Sequence, residues 1–156
     1  MRIQTKFFGE IEYEESGIIT FPHGLPGFPD ATRFLFMSES DPPDIFYWLQ
    51  CVDDADVAFT LMDVYTCLPD YDPLVEPEEL AELGDIADKP LDIYNIAVIP
   101  EDAKKMRVNL KAPIVINMEA GLGKQVIVNN EEYPIRYMIF EEIEKARAAS
   151  DAGGAC

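Results

Sequence analysis

The sequence predicts a mainly β protein: an antiparallel, β-barrel-like single domain with one or two short helices. Roughly nine short runs rich in β-branched and aromatic residues follow one another along the 156-residue chain. Turn residues separate most of these runs, and few stretches are typical of a helix. An apolar fraction of 48% and an aromatic fraction of 11% are typical of a globular domain with a buried core.

The N-terminal third predicts short strands. Apolar and polar residues alternate over 2–7 and again over 10–14, which is the period of a half-buried strand. Residues 18–21 predict a third strand, and residues 33–37 resume extended structure after a short turn. The acidic outer positions of the second strand indicate a face in contact with solvent.

The next two strands predict a hairpin. Residues 45–52 are rich in aromatic and β-branched side chains, whereas residues 57–65 are apolar on both faces. A strand of the second kind lies in a sheet that is covered on both sides. The turn between them carries three carboxylates, those of Asp53, Asp54 and Asp56.

One short helix is predicted in the middle of the chain. Pro77 suits the first helical position, and Glu78 and Glu79 suit the positive end of the helix. Gly84 suits its end, and we expect Leu83 to dock against the sheet. The acidic residues of this helix indicate a face in contact with solvent. The alternative is that this face contacts a partner protein.

The last part of the chain predicts four further extended segments and a helix. Residues 93–99 predict a buried strand, 108–117 and 124–128 predict a hairpin, and 133–140 could extend the sheet. High helix propensity indicates a helix over 141–149. Nothing apolar anchors residues 150–156, so we expect a disordered tail. These patterns divide the chain into a barrel domain at 1–140 and a C-terminal helix with a disordered tail at 141–156.

A constrained apolar loop follows the third strand. Residues 20–28 contain two prolines and two glycines, Pro22, Gly24, Pro26 and Gly27, which alternate with single apolar side chains. Proline fixes φ and glycine permits positive φ, so this segment predicts a loop of fixed shape. Such a loop either plugs the core or presents a surface, and we expect Leu25 and Phe28 to need burial, with Gly27 between them.

Acidic side chains are concentrated in the first two thirds of the chain. The net charge is −18, and residues 1–100 hold 21 acidic and 4 basic side chains, a balance of −17. Such a surface repels the phosphates of nucleic acids and attracts a basic protein. The alternative is that the charge only provides solubility.

No candidate catalytic or metal site in the sequence has the residue spacing that such a site requires. His23 is the only histidine, and no nucleophile or orienting partner stands in a matching pattern. A calcium loop that starts at Asp53 would need glycine at its sixth position, which is Ala58. Three cysteines without a Cys-x-x-Cys pair argue against a disulfide framework or a zinc site, and we expect Cys51 and Cys67 to be buried free thiols. We therefore expect no catalytic residue, no metal and no cofactor.

Several separated segments identify a family resemblance. They are Met1–Gly9, the loop at 20–28, Phe46–Gln50, Asn109–Asn117, Gly123–Ile127 and Tyr133–Arg136. In this order they resemble the flagellar assembly factor FliW family over nearly the whole chain. The resemblance implies a β-barrel-like bacterial protein that is cytoplasmic and is not an enzyme. The absence of a long apolar run or of a signal peptide pattern agrees with a cytoplasmic protein.

The resemblance also implies two protein partners. FliW-like proteins bind flagellin, and they bind the RNA-binding regulator CsrA and so prevent it from repressing flagellin translation. An export chaperone that only holds flagellin is the first alternative, and an enzyme with an unrecognised carboxylate site is the second. We expect no direct binding to nucleic acid or membrane, and a monomer by default. The candidate partner-binding residues lie in the constrained loop, the acidic turn, the segment around position 70 and the short helix: Leu25, Gly27, Phe28, Asp53, Asp54, Asp56, Asp70, Tyr71, Glu78 and Glu79.

Overall fold

The computed structural model describes residues 1–6, 8–38, 45–84 and 91–154. Phe7, which the first predicted strand includes, and residues 155–156 of the predicted tail lie outside these ranges. The described residues form eleven strands and two α-helices. They are β1 (Arg2–Thr5), β2 (Gly9–Glu12), β3 (Ile18–Thr20), β4 (Arg33–Met37), β5 (Phe46–Cys51), β6 (Ala58–Met62), α1 (Pro77–Ala81), β7 (Asp92–Val98), β8 (Arg107–Val108), β9 (Ile114–Asn117), β10 (Leu122–Gln125), β11 (Tyr137–Met138) and α2 (Phe140–Gly154).

Seven strands close into a barrel. Strands β3 to β7 pair antiparallel in sequence order, β7 also pairs with β9, and β9 pairs with β10. Strand β10 returns to β3 through a parallel contact between Leu122 and Thr20. The predicted mainly β, barrel-like fold is confirmed, with this one parallel contact in an otherwise antiparallel barrel. Closure removes the exposed edges that an open sheet would present.

Two smaller strand groups lie outside the closed barrel. Strand β8 pairs with the end of β7, and β11 pairs with β8, so these strands extend the sheet beyond the barrel. Strands β1 and β2 form a separate antiparallel hairpin. The Lys6 amide donates to the Ala55 carbonyl at 3.1 Å, which connects this hairpin to the acidic turn.

The wall of the barrel separates two hydrophobic cores. The interior is filled by large apolar side chains that include Phe34, Leu49 and Leu61. The second core lies outside, where Met62 packs with residues of β8 and with Ile143 of α2. Leu61 and Met62 are neighbours in β6 and enter different cores, so the expectation that this strand is covered on both faces is confirmed. A third cluster holds Leu83, which follows α1, against Val115 and Val126.

The structure differs from several predicted elements, and the predicted extension of the sheet at 133–140 is a strand only over Tyr137–Met138. The predicted strand at 108–117 is divided into β8 and β9, because the Asn109 side chain accepts hydrogen bonds from the Lys111 and Ala112 amides at 3.1 and 2.9 Å. These local bonds compete with a strand ladder, and Pro113 has no amide to donate to one. Helix α2 continues to Gly154, past the expected end at 149, although the added residues 150–154 include Ser, Asp and two glycines, which have low helix propensity.

Candidate partner-binding surface

The loop after β3 is held in one shape by its own backbone. Gly24 and Gly27 have φ values of +70° and +81°, which side-chain-bearing residues rarely adopt. The Gly24 amide donates to the Phe21 carbonyl at 2.8 Å. Leu25 and Phe28 exchange two backbone hydrogen bonds, at 2.8 and 3.2 Å, across the tight turn. These backbone contacts hold Leu25 and Phe28 in fixed positions, so the loop can support a binding surface.

The two apolar side chains of the loop have different environments. Leu25 is 4% exposed and belongs to the barrel core, so it is a packing residue and not a contact surface. Phe28 is 45% exposed, and the expectation that it is buried is wrong. Its ring meets Phe59 edge to face at a centroid distance of 5.9 Å, which leaves the rest of the ring in solvent. Both readings of the loop apply, because Leu25 plugs the core and Phe28 is presented outside.

The acidic turn between β5 and β6 is held by side-chain hydrogen bonds from Gln50 and Arg33 and by one within the turn. The buried Gln50 amide donates to the carbonyls of Cys51 and Val57 at 3.0 and 3.2 Å. Asp53 receives a hydrogen bond from Arg33 at 3.1 Å, and Asp54 accepts from the Asp56 amide at 3.0 Å. Asp53, Asp54 and Asp56 are exposed, so their charges face solvent on an ordered turn.

The loop and the turn meet in one surface groove. Its volume is about 310 Å³. The lining includes Gly27, Phe28, Asp53 and Asp54, four of the residues that the sequence singled out in two separate segments. Asp30 also lines this groove, and Cys51, which is buried, lies in its lining. We call this site the acidic groove: an exposed aromatic ring bordered by three carboxylates.

Asp30 is the functional candidate that the sequence analysis missed. It stands two residues after Phe28 in an exposed position. Its proximity to Phe28 in the chain was the available signal. Its approach to the 53–54 carboxylates depends on the barrel fold.

Asp70 and Tyr71 lie at a different groove, of about 410 Å³, together with Tyr133. Tyr71 is 5% exposed, and its hydroxyl donates to the Leu110 carbonyl at 2.7 Å while accepting from the Asn95 amide at 3.1 Å. Burial raises the pKa of Tyr71, although the Asn95 hydrogen bond opposes the shift. The hydroxyl is therefore a structural element, and the exposed Asp70 is the accessible charge of this pair.

The acidic helix α1 is tied to the barrel by one lysine. Lys124 Nζ lies 2.5 Å from a Glu79 oxygen and 2.6 Å from a Glu82 oxygen. Burial works against the charge of Lys124, but its hydrogen bonds with these two carboxylates raise its pKa. The hydrogen bonds from Lys124 and His23 lower the pKa of Glu82. Glu79 thus supports the fold, whereas Glu78 is exposed.

The titratable groups in the described ranges form no cluster suited to a metal ion. His23 Nε2 lies 2.8 Å from Glu82 Oε2 in an exposed hydrogen bond. No group of three or more His, Cys, Asp or Glu side chains among the described residues could hold a metal ion. Cys51 is buried and Cys67 half-buried, and both are free thiols.

No helix in the described part of the chain has the length and apolar character needed to cross a membrane.

Comparisons with known proteins agree on one family. A family model described as FliW protein matches residues 2–139. The chain is 43% identical over 147 residues to a flagellar assembly factor FliW of Thermoanaerobacter pseudethanolicus, with 94% of this chain and 97% of the relative covered. It is 39% identical over 151 residues to that of Alkaliphilus metalliredigens, with 97% and 93% covered.

A solved structure supports the same assignment. The crystal structure of a flagellar assembly factor FliW superposes with a TM-score of 0.81 at 31% sequence identity, covering 90% of this chain and 97% of the other. The fold, the family model and the similar sequences lead to one conclusion: this chain belongs to the FliW family of flagellar assembly factors.

Proposed function

We propose that this protein is a non-enzymatic, cytoplasmic binding module that binds a CsrA-type RNA-binding regulator and flagellin in turn. While flagellin is scarce, the protein holds the regulator and prevents it from repressing flagellin translation. Abundant flagellin displaces the regulator. The exchange is set by the affinities and concentrations of the two partners. Membership in a family of flagellar assembly factors supports the flagellar context of this proposal.

The acidic groove is the observation that carries the proposal. Phe28 exposes an aromatic ring between the carboxylates of Asp30, Asp53 and Asp54 on an ordered support. Aromatic rings attract cations and supply apolar contact area, and nearby carboxylates pair with lysine or arginine. An RNA-binding protein presents such cations on the surface that normally meets phosphates.

Long-range charge favours the same partner. The net charge of −18 raises the rate of encounter with a basic protein and opposes association with RNA itself. The structure keeps the turn carboxylates exposed instead of burying them in ion pairs, except where Arg33 meets Asp53. The regulator is therefore expected to arrive by electrostatic attraction and to be held by contacts around Phe28.

A pull-down from a motile bacterium tests the proposal. The bait is the tagged full chain, compared with the double variant Asp30→Asn, Asp54→Asn, in which the amide oxygen at position 54 can still accept the Asp56 hydrogen bond. The matched control, Glu131→Gln with Glu144→Gln, removes the same charge at two exposed positions away from the groove. We expect wild type and control to capture the basic regulator and the groove variant to lose it.

Other outcomes of this experiment assign other functions. Capture of flagellin without any basic regulator, at every cell stage, would replace the proposal with a flagellin-holding export chaperone. Failure to capture either protein would contradict the binding-module reading. Equal loss of the regulator in the control variant would show that total charge, and not the groove, holds it.

A further inference from the structure

The groove that holds Asp70 and Tyr71 is a pocket built around tyrosine rings. Its volume of about 410 Å³ is in the range of small-molecule sites. Among the described residues, its aromatic lining consists of Tyr71 from the segment between β6 and α1, Tyr133 from the segment between β10 and β11, and Tyr137 of β11. Tyr71 is buried, whereas Tyr133 and Tyr137 are half-buried. We call this site the tyrosine pocket.

Ring packing and hydrogen bonds fix two of the tyrosines. The ring centroids of Tyr71 and Tyr133 lie 4.8 Å apart, with 55° between the ring planes. The Tyr71 hydroxyl is held between the Leu110 carbonyl and the Asn95 amide. The Tyr133 hydroxyl oxygen accepts a hydrogen bond from the Asp72 amide at 2.8 Å. The rings are therefore in place before a ligand arrives, which lowers the entropic cost of binding.

The interior of the tyrosine pocket offers few free hydrogen-bond acceptors. The Leu110 carbonyl already accepts from Tyr71, and the Pro134 carbonyl accepts from the amides of Leu110 and Lys111 at 3.1 and 3.2 Å. The side chains of Leu68 and Pro134 add apolar lining. A ligand group with several N–H donors would give up hydrogen bonds to water here without replacing them. The lining therefore favours a ligand group that carries no donor.

The charged side chains that line the tyrosine pocket are carboxylates in the described part of the chain. They belong to Asp70 and Glu132, and both residues are exposed. The Asn130 amide lies 3.4 Å from a Glu132 oxygen, so an uncharged amide is the neighbour of that carboxylate. Two negative charges beside aromatic rings favour a cation in the pocket, because the electron-rich ring faces attract positive charge as well.

Helix α2 adds further charges near the tyrosine pocket. Burial raises the pKa of Tyr137, and the nearby Glu142 carboxylate raises it further. Burial also raises the pKa of the Cys67 thiol in the lining, where Arg147 opposes the shift and Glu142 adds to it. With the two lining carboxylates, these groups amount to three carboxylates against one guanidinium. The surroundings of the pocket are therefore negative on balance.

We propose that the tyrosine pocket binds a small quaternary ammonium compound of the choline type, with its methylated nitrogen against the rings of Tyr71, Tyr133 and Tyr137. The rings and the rim carboxylates attract the charge, while the methyl groups fill the apolar interior and need no acceptor. A primary ammonium or a guanidinium group fits less well, because its N–H groups would enter an interior whose acceptors are engaged. The tyrosine pocket shares no lining residue with the acidic groove, so this proposal does not depend on the proposed function.

Nuclear magnetic resonance titration of the isotope-labelled full chain tests this inference. The probe is choline, and its controls are dimethylbutanol, in which a carbon atom replaces the charged nitrogen, and ethanolamine, which carries a primary ammonium group. We expect choline to shift the amide signals of the pocket lining and to bind about fivefold or more tightly than either control, as a cation–π contact provides. No saturable shift with choline, or equal binding of dimethylbutanol, would overturn the inference. Tighter binding of ethanolamine would also overturn it and would indicate a site for a lysine side chain.

Two variants at one position separate the ring from its hydroxyl. Tyr133→Phe and Tyr133→Leu both remove the oxygen that accepts the Asp72 hydrogen bond, but only the leucine variant removes the aromatic ring. Tyr133→Phe should keep the choline affinity of wild type, and Tyr133→Leu should weaken it by about fivefold or more. Equal affinities of the two variants would contradict a role for the ring.

Charge variants test the site even if Tyr133→Leu does not fold. Asp70→Asn with Glu132→Gln removes the two rim charges and leaves an amide oxygen near Asn130. This variant should weaken choline by about twofold or more and leave dimethylbutanol unchanged, because only the cation senses the rim charges. Equal weakening of both compounds, or of neither, would contradict the proposal. Asp30→Asn with Asp54→Asn, in the acidic groove, should keep the choline affinity of wild type, and a matching loss there would show that total charge holds the cation.

Discussion

Alanine at Gly24 and at Gly27 separates backbone strain from steric conflict in the constrained loop. Both glycines have positive φ, so a β-carbon at either position costs about 1–2 kcal/mol of conformational strain. At Gly24 the added atom would also lie 2.3 Å from the Phe28 carbonyl oxygen and 2.6 Å from Pro29 Cα. At Gly27 an added β-carbon would have no heavy atom within 4 Å apart from those of Gly27 and its two chain neighbours.

The two substitutions therefore have different expected magnitudes. Gly27→Ala should lower the free energy of unfolding by about 1–2 kcal/mol, from strain alone. Gly24→Ala should lower it by about 2–5 kcal/mol, because the clash with backbone atoms adds about 1–3 kcal/mol. The loop cannot remove this clash without breaking the hydrogen bonds between Leu25 and Phe28.

Urea unfolding followed by circular dichroism measures both variants against wild type. The slope of free energy against urea should be shared by all three proteins, so the midpoints report stability directly. Equal losses for Gly24→Ala and Gly27→Ala would refute the argument. That result would mean that Phe28 and Pro29 move away freely, and that the loop is not the fixed support on which the acidic groove depends.

Three other predictions concern Tyr71, Lys124 and the C-terminal tail. Tyr71→Phe should lower the free energy of unfolding by about 1–3 kcal/mol, because it leaves the buried Leu110 carbonyl without its donor, and chemical denaturation measures this loss. Lys124→Met should lower stability by about 1 kcal/mol at neutral pH. The pKa of Glu82 is lowered in the fold, so its pairing with Lys124 stabilises the protein above the ordinary pKa of 4.5, and this stabilisation is lost as the pH falls below that value. In thermal melts across this pH range, the melting temperature of Lys124→Met should therefore fall less than that of wild type. A chain that ends at Ala149 should keep the melting temperature and both partner affinities of the full chain, and loss of either affinity would make the tail a recognition element.

The sequence predicted the elements whose signals are local. The aromatic and β-branched run that became β5 and the doubly apolar run that became β6 are visible without the fold. The start of α1 at Pro77 follows from the preference of proline for the first helical turn. The β9–β10 hairpin was also predicted, although its strands are shorter than expected.

Features that depend on contacts distant in sequence were not predictable. The barrel closes through the β7–β9 pairing and the parallel β3–β10 contact, and no local pattern encodes either. The acidic groove needs Asp30 beside Asp53, and this proximity follows from the loop that folds back over the barrel. The exposure of Phe28 has the same origin, since hydrophobicity alone favours its burial, whereas Leu25 already fills the core beneath the loop.

Association kinetics with the basic regulator test the central claim most directly. Stopped-flow mixing of the purified full chain with a CsrA-type regulator, from ~0.1 M to ~1 M salt, shortens the Debye length from ~10 Å to ~3 Å. The account predicts an on-rate that falls steeply with salt. At low salt the rate should be slower for Asp30→Asn with Asp54→Asn than for the charge-matched Glu131→Gln with Glu144→Gln. An on-rate indifferent to salt, or equal rates for the two double variants, would contradict the claim that the acidic groove recruits a basic partner.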